Sequence, residues 1–298
     1  MNLLITGAWQ EAGQYIDIIQ NSGHAVEFLQ YEKDKLPCEY EWVEGIVGNG
    51  IFLTHPIEKF INLKYIQLTS AGYDRVPMEY VMEHGIKINN ARGVYSIPMA
   101  EYAIAGALDF YKNQKLFREN QKKHIWEKQR SLKELNGQNV CILGCGSVGE
   151  ECAKRFQAFD CVIRGIDVIE REQRYFSHVY SLEDVKNILS ESDIVIVTLP
   201  LTEATYHMFD AEMFKAMKEG TLLINIARGA LIDTDALEEA LKDRLMGAVL
   251  DVFEEEPLPE NHRLWDMENI IITPHNSFVG NGNSQRMSNV IMKNLENY

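Results

Sequence analysis

Gly144, Gly146 and Gly149 stand in the run Gly144-Cys145-Gly146-Ser147-Val148-Gly149, a GxGxxG. Glycines at that spacing suit a sharp turn after a strand, where bare backbone lets a diphosphate approach the N-terminus of the next helix. Both flanking elements are present. The apolar run Val140 to Leu143 enters the turn, and Cys152, Ala153 and Phe156 leave it at helical spacing. A second apolar run, Cys161 to Ile166, ends at Asp167, 18 residues after Gly149. A carboxylate in that place accepts both hydroxyls of an adenosine ribose and repels a 2′-phosphate, so NAD is expected ahead of NADP. Arg171 and Arg174 follow closely and weaken that preference without reversing it.

Three later segments run an apolar strand into charged residues: Ile224-Asn225-Ile226-Ala227-Arg228-Gly229, Leu250-Asp251-Val252-Phe253-Glu254-Glu255-Glu256-Pro257, and Ile272-Thr273-Pro274-His275-Asn276. Strand termini are where an open α/β sheet receives its ligands.

Along the whole chain, short apolar runs alternate with helical patterns. That alternation predicts an α/β protein of parallel sheets with helices on both faces. Strands are expected at Leu3 to Thr6, Ala25 to Leu29, Gly45 to Val47, Tyr65 to Leu68 and Lys87 to Asn89, which make one doubly wound unit. A second series follows at Val140 to Leu143, Cys161 to Ile166, Ile194 to Leu199, Thr221 to Ile226, Gly247 to Leu250 and Ile270 to Thr273. Between them Ala100, Ala103, Ile104, Ala107, Leu108 and Tyr111 follow the spacing of a helix with one buried stripe, with Ser96 as its cap and Pro98 in its first turn. The tail from Ser284 to Tyr298 is weakly helical and is expected to pack back across the domain junction. The expected division is residues 1–97 plus 276–298 for a smaller domain and 98–275 for the dinucleotide domain.

The chain has 298 residues, with 29 Lys and Arg against 44 Asp and Glu, a net charge of −15. That balance disfavours DNA, RNA and anionic membrane surfaces, each of which calls for a clustered cationic footprint. No apolar stretch approaches the length needed to cross about 30 Å of hydrocarbon, and no basic-then-apolar leader opens the chain, so a cytoplasmic protein is expected. The five cysteines form no CxxC pair. They fit reduced, mostly buried thiols, with neither a disulfide framework nor a metal site.

Together with Leu199-Pro200-Leu201-Thr202, Ser70-Ala71-Gly72-Tyr73-Asp74 and Asn90 to Glu101, these segments resemble the D-isomer-specific 2-hydroxyacid dehydrogenase family over most of the chain. The resemblance implies a Rossmann dinucleotide-binding domain and a smaller flavodoxin-like substrate domain, with the site in the cleft between them. It also implies an NAD-dependent oxidoreductase that interconverts a 2-keto acid and its D-2-hydroxy acid.

The implied roles suit the chemistry. Arg228 can grip a carboxylate with its planar fork and polarise the adjacent carbonyl. His275 is the acid/base, since an ordinary imidazole pKa near 6.5 exchanges protons at neutral pH. Glu256 orients the imidazole and favours its protonated form. It is chosen over Glu254 and Glu255 because the family's acid immediately precedes a proline, here Pro257. By the same carry-over Ser70, Ala71 and Gly72 hold the substrate, with the amides of Ala71 and Gly72 on its carboxylate. Ser147 and Val148 meet the pyrophosphate, and Leu199, Pro200, Thr205 and Ala227 line the cofactor. Asp251 meets the nicotinamide amide.

After the histidine, Asn276-Ser277-Phe278 puts a bulky ring where many members have small residues, which implies a narrower or more apolar pocket. No amino-acid-sensing domain is expected, and a homodimer formed through the dinucleotide domains is. Two rival readings stay open: an NADH-binding sensor or corepressor without turnover, since fold alone does not fix function, and a formate- or phosphite-type dehydrogenase.

Overall fold

The computed structural model describes residues 1–298, and the chain divides into two compact units, Met1–Tyr95 with Gly280–Tyr298, and Ser96–Val279. The first contains five parallel strands, β1 (Asn2–Thr6), β2 (Ala25–Leu29), β3 (Gly45–Gly48), β4 (Tyr65–Leu68) and β5 (Lys87–Asn89), in the order β2-β1-β3-β4-β5. Helices α1 (Ile16–Asn21) and α2 (Met78–Glu83) connect strands of this sheet. β3 and β4 are buried throughout, because helices and loops cover both faces of the sheet, and so they show no polar alternation. The period of two survives in which face each residue meets. Leu4, Ile46 and Ile66 pack with Val43, Phe60 and Val81 on one side, and Leu3, Ile5, Val47 and Tyr65 with Ile19 on the other.

The second unit starts with α3 (Ser96–Tyr111) and α4 (Gln114–Lys122). It continues through β6 (Asn139–Leu143), α5 (Ser147–Gln157), β7 (Val162–Ile166), β8 (His178–Tyr180), α6 (Val185–Ser190) and β9 (Ile194–Val197). It ends with α7 (Ala211–Ala216), β10 (Thr221–Asn225), α8 (Thr234–Asp243), β11 (Leu245–Leu250) and β12 (Ile270–Ile272). Its seven parallel strands run β12-β11-β10-β9-β6-β7-β8, with the order reversing between β6 and β9. That reversal is the switch point where a doubly wound sheet opens a crevice at its strand ends. Ala100, Ala103, Ala107 and Tyr111 of α3 cover one face together with Cys152, Ala153 and Phe156 of α5. Leu189, Phe214, Leu237 and Leu241 cover the other. A Cβ at Gly106 would meet both γ-carbons of Val249 at 2.9 Å, so a small residue lets α3 lie hard against β11.

Several expectations need correction. Ser96 is itself the first helical residue of α3 and not a cap outside it. Strand β8 was not expected: only Val179 of its three residues is buried, and it pairs along β7 from Arg164↔His178. The strand at Ile194 ends at Val197, because the Thr198 side chain turns back to donate to Gly144 O at 2.6 Å. The tail forms α9 (Asn283–Glu296), and its stripe of Met287, Ile291 and Leu295 packs within the first unit's own core beside Leu3 and Ile5. The joins fall at 95/96 and 279/280, where 97/98 and 275/276 were expected. Residues 276 and 277 stay with the second unit because their amides bond to Asp251.

Candidate active site

The fingerprint loop connects β6 to α5, and its three glycines answer different demands. Gly144 has φ +96°, and a Cβ there would lie 2.7 Å from the Thr198 carbonyl carbon. A Cβ at Gly149 would lie 2.1 Å from Gly144 O, so this glycine lets the start of α5 close on the loop. Gly146 is exposed, has an ordinary φ of −75°, and a Cβ there would meet nothing within 4 Å. The protein's own packing explains the first and third but not the second. Bare backbone there, beside the α5 N-terminus, is what a diphosphate would need in order to lie against the loop. Ser147 and Val148, half-buried, form the first turn of that helix.

Asp167, at the end of β7, joins this loop. Its Oδ2 accepts from Cys145 N at 3.2 Å and from Arg171 Nη2 at 2.9 Å, and its Oδ1 from Val168 N at 2.8 Å. Burial opposes ionisation of this carboxyl, but the Arg171 bond and charge, with the two amides, outweigh it and hold the group below the usual carboxylate range. Arg171 is thus committed to the residue expected to hold the ribose. Arg174 lies over the Tyr175 ring, 4.6 Å from its centroid.

At the end of β9, Leu199 is buried and Pro200 exposed. Buried Thr205 ties their loop together, donating to Pro200 O at 2.8 Å and accepting from Thr202 N at 2.8 Å. After β10, the buried Asn225 side chain shapes the Arg228 turn by accepting from Ala227 N and donating to Arg228 O, each at 3.0 Å. Arg228 Nη1 donates to Ala227 O at 2.8 Å. A Cβ on Gly229 would fall 1.8 Å from the Phe253 carbonyl carbon, so this glycine alone permits the Arg228 turn to pack on the loop that carries the three glutamates.

Those acids separate cleanly. Glu254 accepts from both the amide and the hydroxyl of Thr234 and pairs with His207 Nε2 at 2.8 Å. Glu255 is exposed. Glu256 Oε1 accepts from Phe253 N at 3.0 Å, and its Oε2 lies 2.8 Å from His275 Nδ1. A carboxylate only accepts, so Nδ1 carries the proton in this pair and Nε2 is the nitrogen left for proton exchange. His275 follows β12 with φ +50°, a left-handed conformation, and the Phe278 ring stands edge-on to its imidazole with centroids 5.9 Å apart. Asp251 is fully buried at the end of β11 and bonds to Thr273, Asn276 and Ser277.

The second unit therefore gathers Gly144, Gly146, Gly149, Asp167, Thr205, Ala227, Arg228, Asp251, Glu256 and His275 along the carboxyl edge of one sheet. Ser70, Ala71 and Gly72 lie in the first unit, beyond β4. There Ser70 Oγ donates to Gly72 O at 3.0 Å and Asn90 Nδ2 to Ala71 O at 2.6 Å. Sequence reasoning quoted Gly229 and Thr273 within its strand-end segments without giving them a role, and it missed Tyr102, whose hydroxyl lies 2.6 Å from Thr273 Oγ1. A glycine directly after a strand-end arginine was the one available signal.

Comparison with known proteins follows the same line. The model of the D-isomer specific 2-hydroxyacid dehydrogenase NAD binding domain matches residues 104–277. A glyoxylate reductase of Thermofilum pendens is 35% identical over 242 residues, covering 78% of this chain and 71% of that protein. The D-lactate dehydrogenase of Aquifex aeolicus, solved with NAD and lactic acid, superposes with a TM-score of 0.78 at 25% identity, over 99% of this chain and 94% of the other. A D-isomer specific 2-hydroxyacid dehydrogenase from Xanthobacter autotrophicus, solved with NADPH and MES, does so with a TM-score of 0.80 at 25% identity, over 99% and 94%. With its nucleotide fingerprint, strand order and strand-end residues on one sheet edge, this chain belongs to the D-isomer specific 2-hydroxyacid dehydrogenase family.

Proposed function

We propose that the protein reduces a 2-keto acid to its D-2-hydroxy acid, and runs the reverse oxidation, with NADH and NAD as the preferred pair. The observation that carries this reading is the Glu256–His275 pair at 2.8 Å, on the sheet edge that also bears the fingerprint loop and Arg228. Bound nicotinamide supplies a hydride, which the carbonyl carbon of the keto acid receives. The residues of the chain do the rest. Arg228 grips the carboxylate and draws charge toward the carbonyl oxygen. The carbon–oxygen π pair moves onto that oxygen, which takes the proton from His275 Nε2. Glu256 holds Nδ1, which fixes the orientation of the ring and leaves Nε2 to face the substrate oxygen. In oxidation the same nitrogen takes the hydroxyl proton back. The amides of Ala71 and Gly72 are assigned the substrate carboxylate, and Leu199, Pro200, Thr205 and Ala227 the walls of the cofactor site.

Asp167 takes the adenosine ribose. Its charge disfavours a 2′-phosphate, and Arg171, already bound to it, tempers that repulsion, so NADPH is the poorer donor. Solved relatives carry one nucleotide or the other. The working assembly is taken to be a homodimer. No helix of the chain is long and apolar enough to cross a membrane.

The test is loss of NADH absorbance with a panel of 2-keto acids, repeated with NADPH. His275→Ala should lower kcat by about 10²- to 10⁴-fold while the NADH Kd stays within about twofold. Arg228→Lys should lower kcat/KM for every accepted acid, since an ammonium lacks the two-point grip. Nucleotide binding without turnover on any acid would leave the sensor reading standing. Formate oxidation alone would point to the other rival, which has no ketone oxygen for a Glu–His pair to protonate.

A further inference from the structure

Asp251 does more than end a strand. Its Oδ1 accepts from Thr273 Oγ1 at 2.6 Å and Asn276 N at 2.7 Å, its Oδ2 from Ser277 N at 2.8 Å, and its carbonyl from His275 N at 2.8 Å. Of the residues from 273 to 277, every one but Pro274, which has no N–H to give, donates to this single buried aspartate. The segment it grips contains His275, whose backbone is left-handed, a conformation uncommon for a residue with a side chain.

The grip extends one residue further. Tyr102 of α3 places its hydroxyl 2.6 Å from Thr273 Oγ1. The direction of the chain follows from valence. Thr273 has one hydroxyl proton, and the carboxylate can only accept, so that proton goes to Asp251 and Tyr102 must donate to Thr273. Burial, reinforced by the Asp251 charge, pushes the Tyr102 phenol above its ordinary range, which keeps it the donor. Bonds aligned in one direction polarise and stiffen one another.

We infer that Tyr102 and Thr273 are positioning residues for His275: their hydrogen-bond chain fixes the Asp251 carboxylate, and through it the turn that aims the imidazole at Glu256. This clamp is distinct from the nicotinamide contact that the resemblance suggests for Asp251, and it rests on the reading of His275 as the acid/base.

The test compares Thr273→Val, Thr273→Ser and Tyr102→Phe in the full chain. Loosening the turn displaces the imidazole, and a misplacement of about 1 Å costs on the order of 10²-fold, so Thr273→Val should lower kcat by about tenfold or more. NADH affinity should hold within about twofold, Thr273→Ser should restore turnover, and Tyr102→Phe should fall between. A readout free of turnover is the Nδ1 proton resonance of His275 in histidine-labelled protein, which should broaden or shift in Thr273→Val and recover in Thr273→Ser. Should Thr273→Val fail to fold, Tyr102→Phe, which loses only a hydroxyl, carries the test. A resonance that responds in a protein without turnover would uphold the clamp and sink only the catalytic reading. Variants that lower Tm while leaving kcat and the resonance unchanged would overturn the inference.

Discussion

Replacing Gly146 with alanine separates what the fingerprint loop does for the fold from what it does for a ligand. Because φ is −75° and a Cβ would meet nothing within 4 Å, the methyl group costs no steric energy in the free protein. Two small effects oppose each other: fewer unfolded conformations stabilise by about 0.4–1 kcal/mol, and exchange of glycine for alanine at a helix cap costs about 1 kcal/mol or less. The net change should lie within about 1 kcal/mol. A diphosphate pressed on that backbone would meet the methyl directly. Overpacking of this kind costs about 1–3 kcal/mol, which at about 1.4 kcal/mol per decade raises the NADH Kd by roughly 5- to 150-fold. Gly149→Ala is the contrast. Its Cβ would sit 2.1 Å from Gly144 O, so loop and helix must part by about 0.9 Å to reach even the closest tolerable contact, and both stability and affinity should fall. Thermal melts with and without NADH, together with calorimetric Kd values, measure both quantities. Equal losses of stability in the two variants, or a Gly146→Ala Kd within twofold of wild type, would refute the assignment of the second glycine to the ligand.

Gly229→Ala should push the Arg228 turn away from the Glu256 loop, since its Cβ would fall 1.8 Å from the Phe253 carbonyl carbon. On the order of 10²-fold should be lost from kcat/KM with little change in NADH Kd, and steady-state kinetics beside a binding titration would check it. Glu254 carries a pH signature. Burial opposes its ionisation, but bonds from Thr234 and His207 prevail and lower its pKa in the folded protein. A depressed carboxylate pKa stabilises fully above the unfolded value and loses that contribution as pH falls through the folded one. The Tm advantage of wild type over Glu254→Gln should therefore be present near neutrality and shrink below about pH 4, as melts across that range would show. A gap that is constant with pH would count against an ionised Glu254.

The distance along the chain over which a feature acts separates what could be anticipated from what could not. Strands buried on both faces announce themselves as apolar runs such as Ile194–Val197, and the fingerprint turn with its flanking strand and helix is local, so class, strand positions and the nucleotide loop were all in view. β8 was not, because an edge strand with one buried residue in three carries no apolar run. The acids show the same limit on a finer scale. Glu254, Glu255 and Glu256 are chemically equivalent neighbours, and a choice among them came only from resemblance.

Folding gives each a different partner: Glu254 meets His207 from 47 residues away and Glu256 meets His275 from 19. Tyr102 bonded to Thr273 across 171 residues left no trace in local pattern, and the packing of Gly229 on Phe253 left only a glycine after a strand-end arginine. Residue type and short-range spacing set which groups are available for chemistry, because propensity, turn geometry and the fingerprint act within a few residues. Which oxygen faces which nitrogen depends on how the strand ends come together. Distances of 2.6–2.8 Å between residues far apart in the chain exist only once the sheet has assembled.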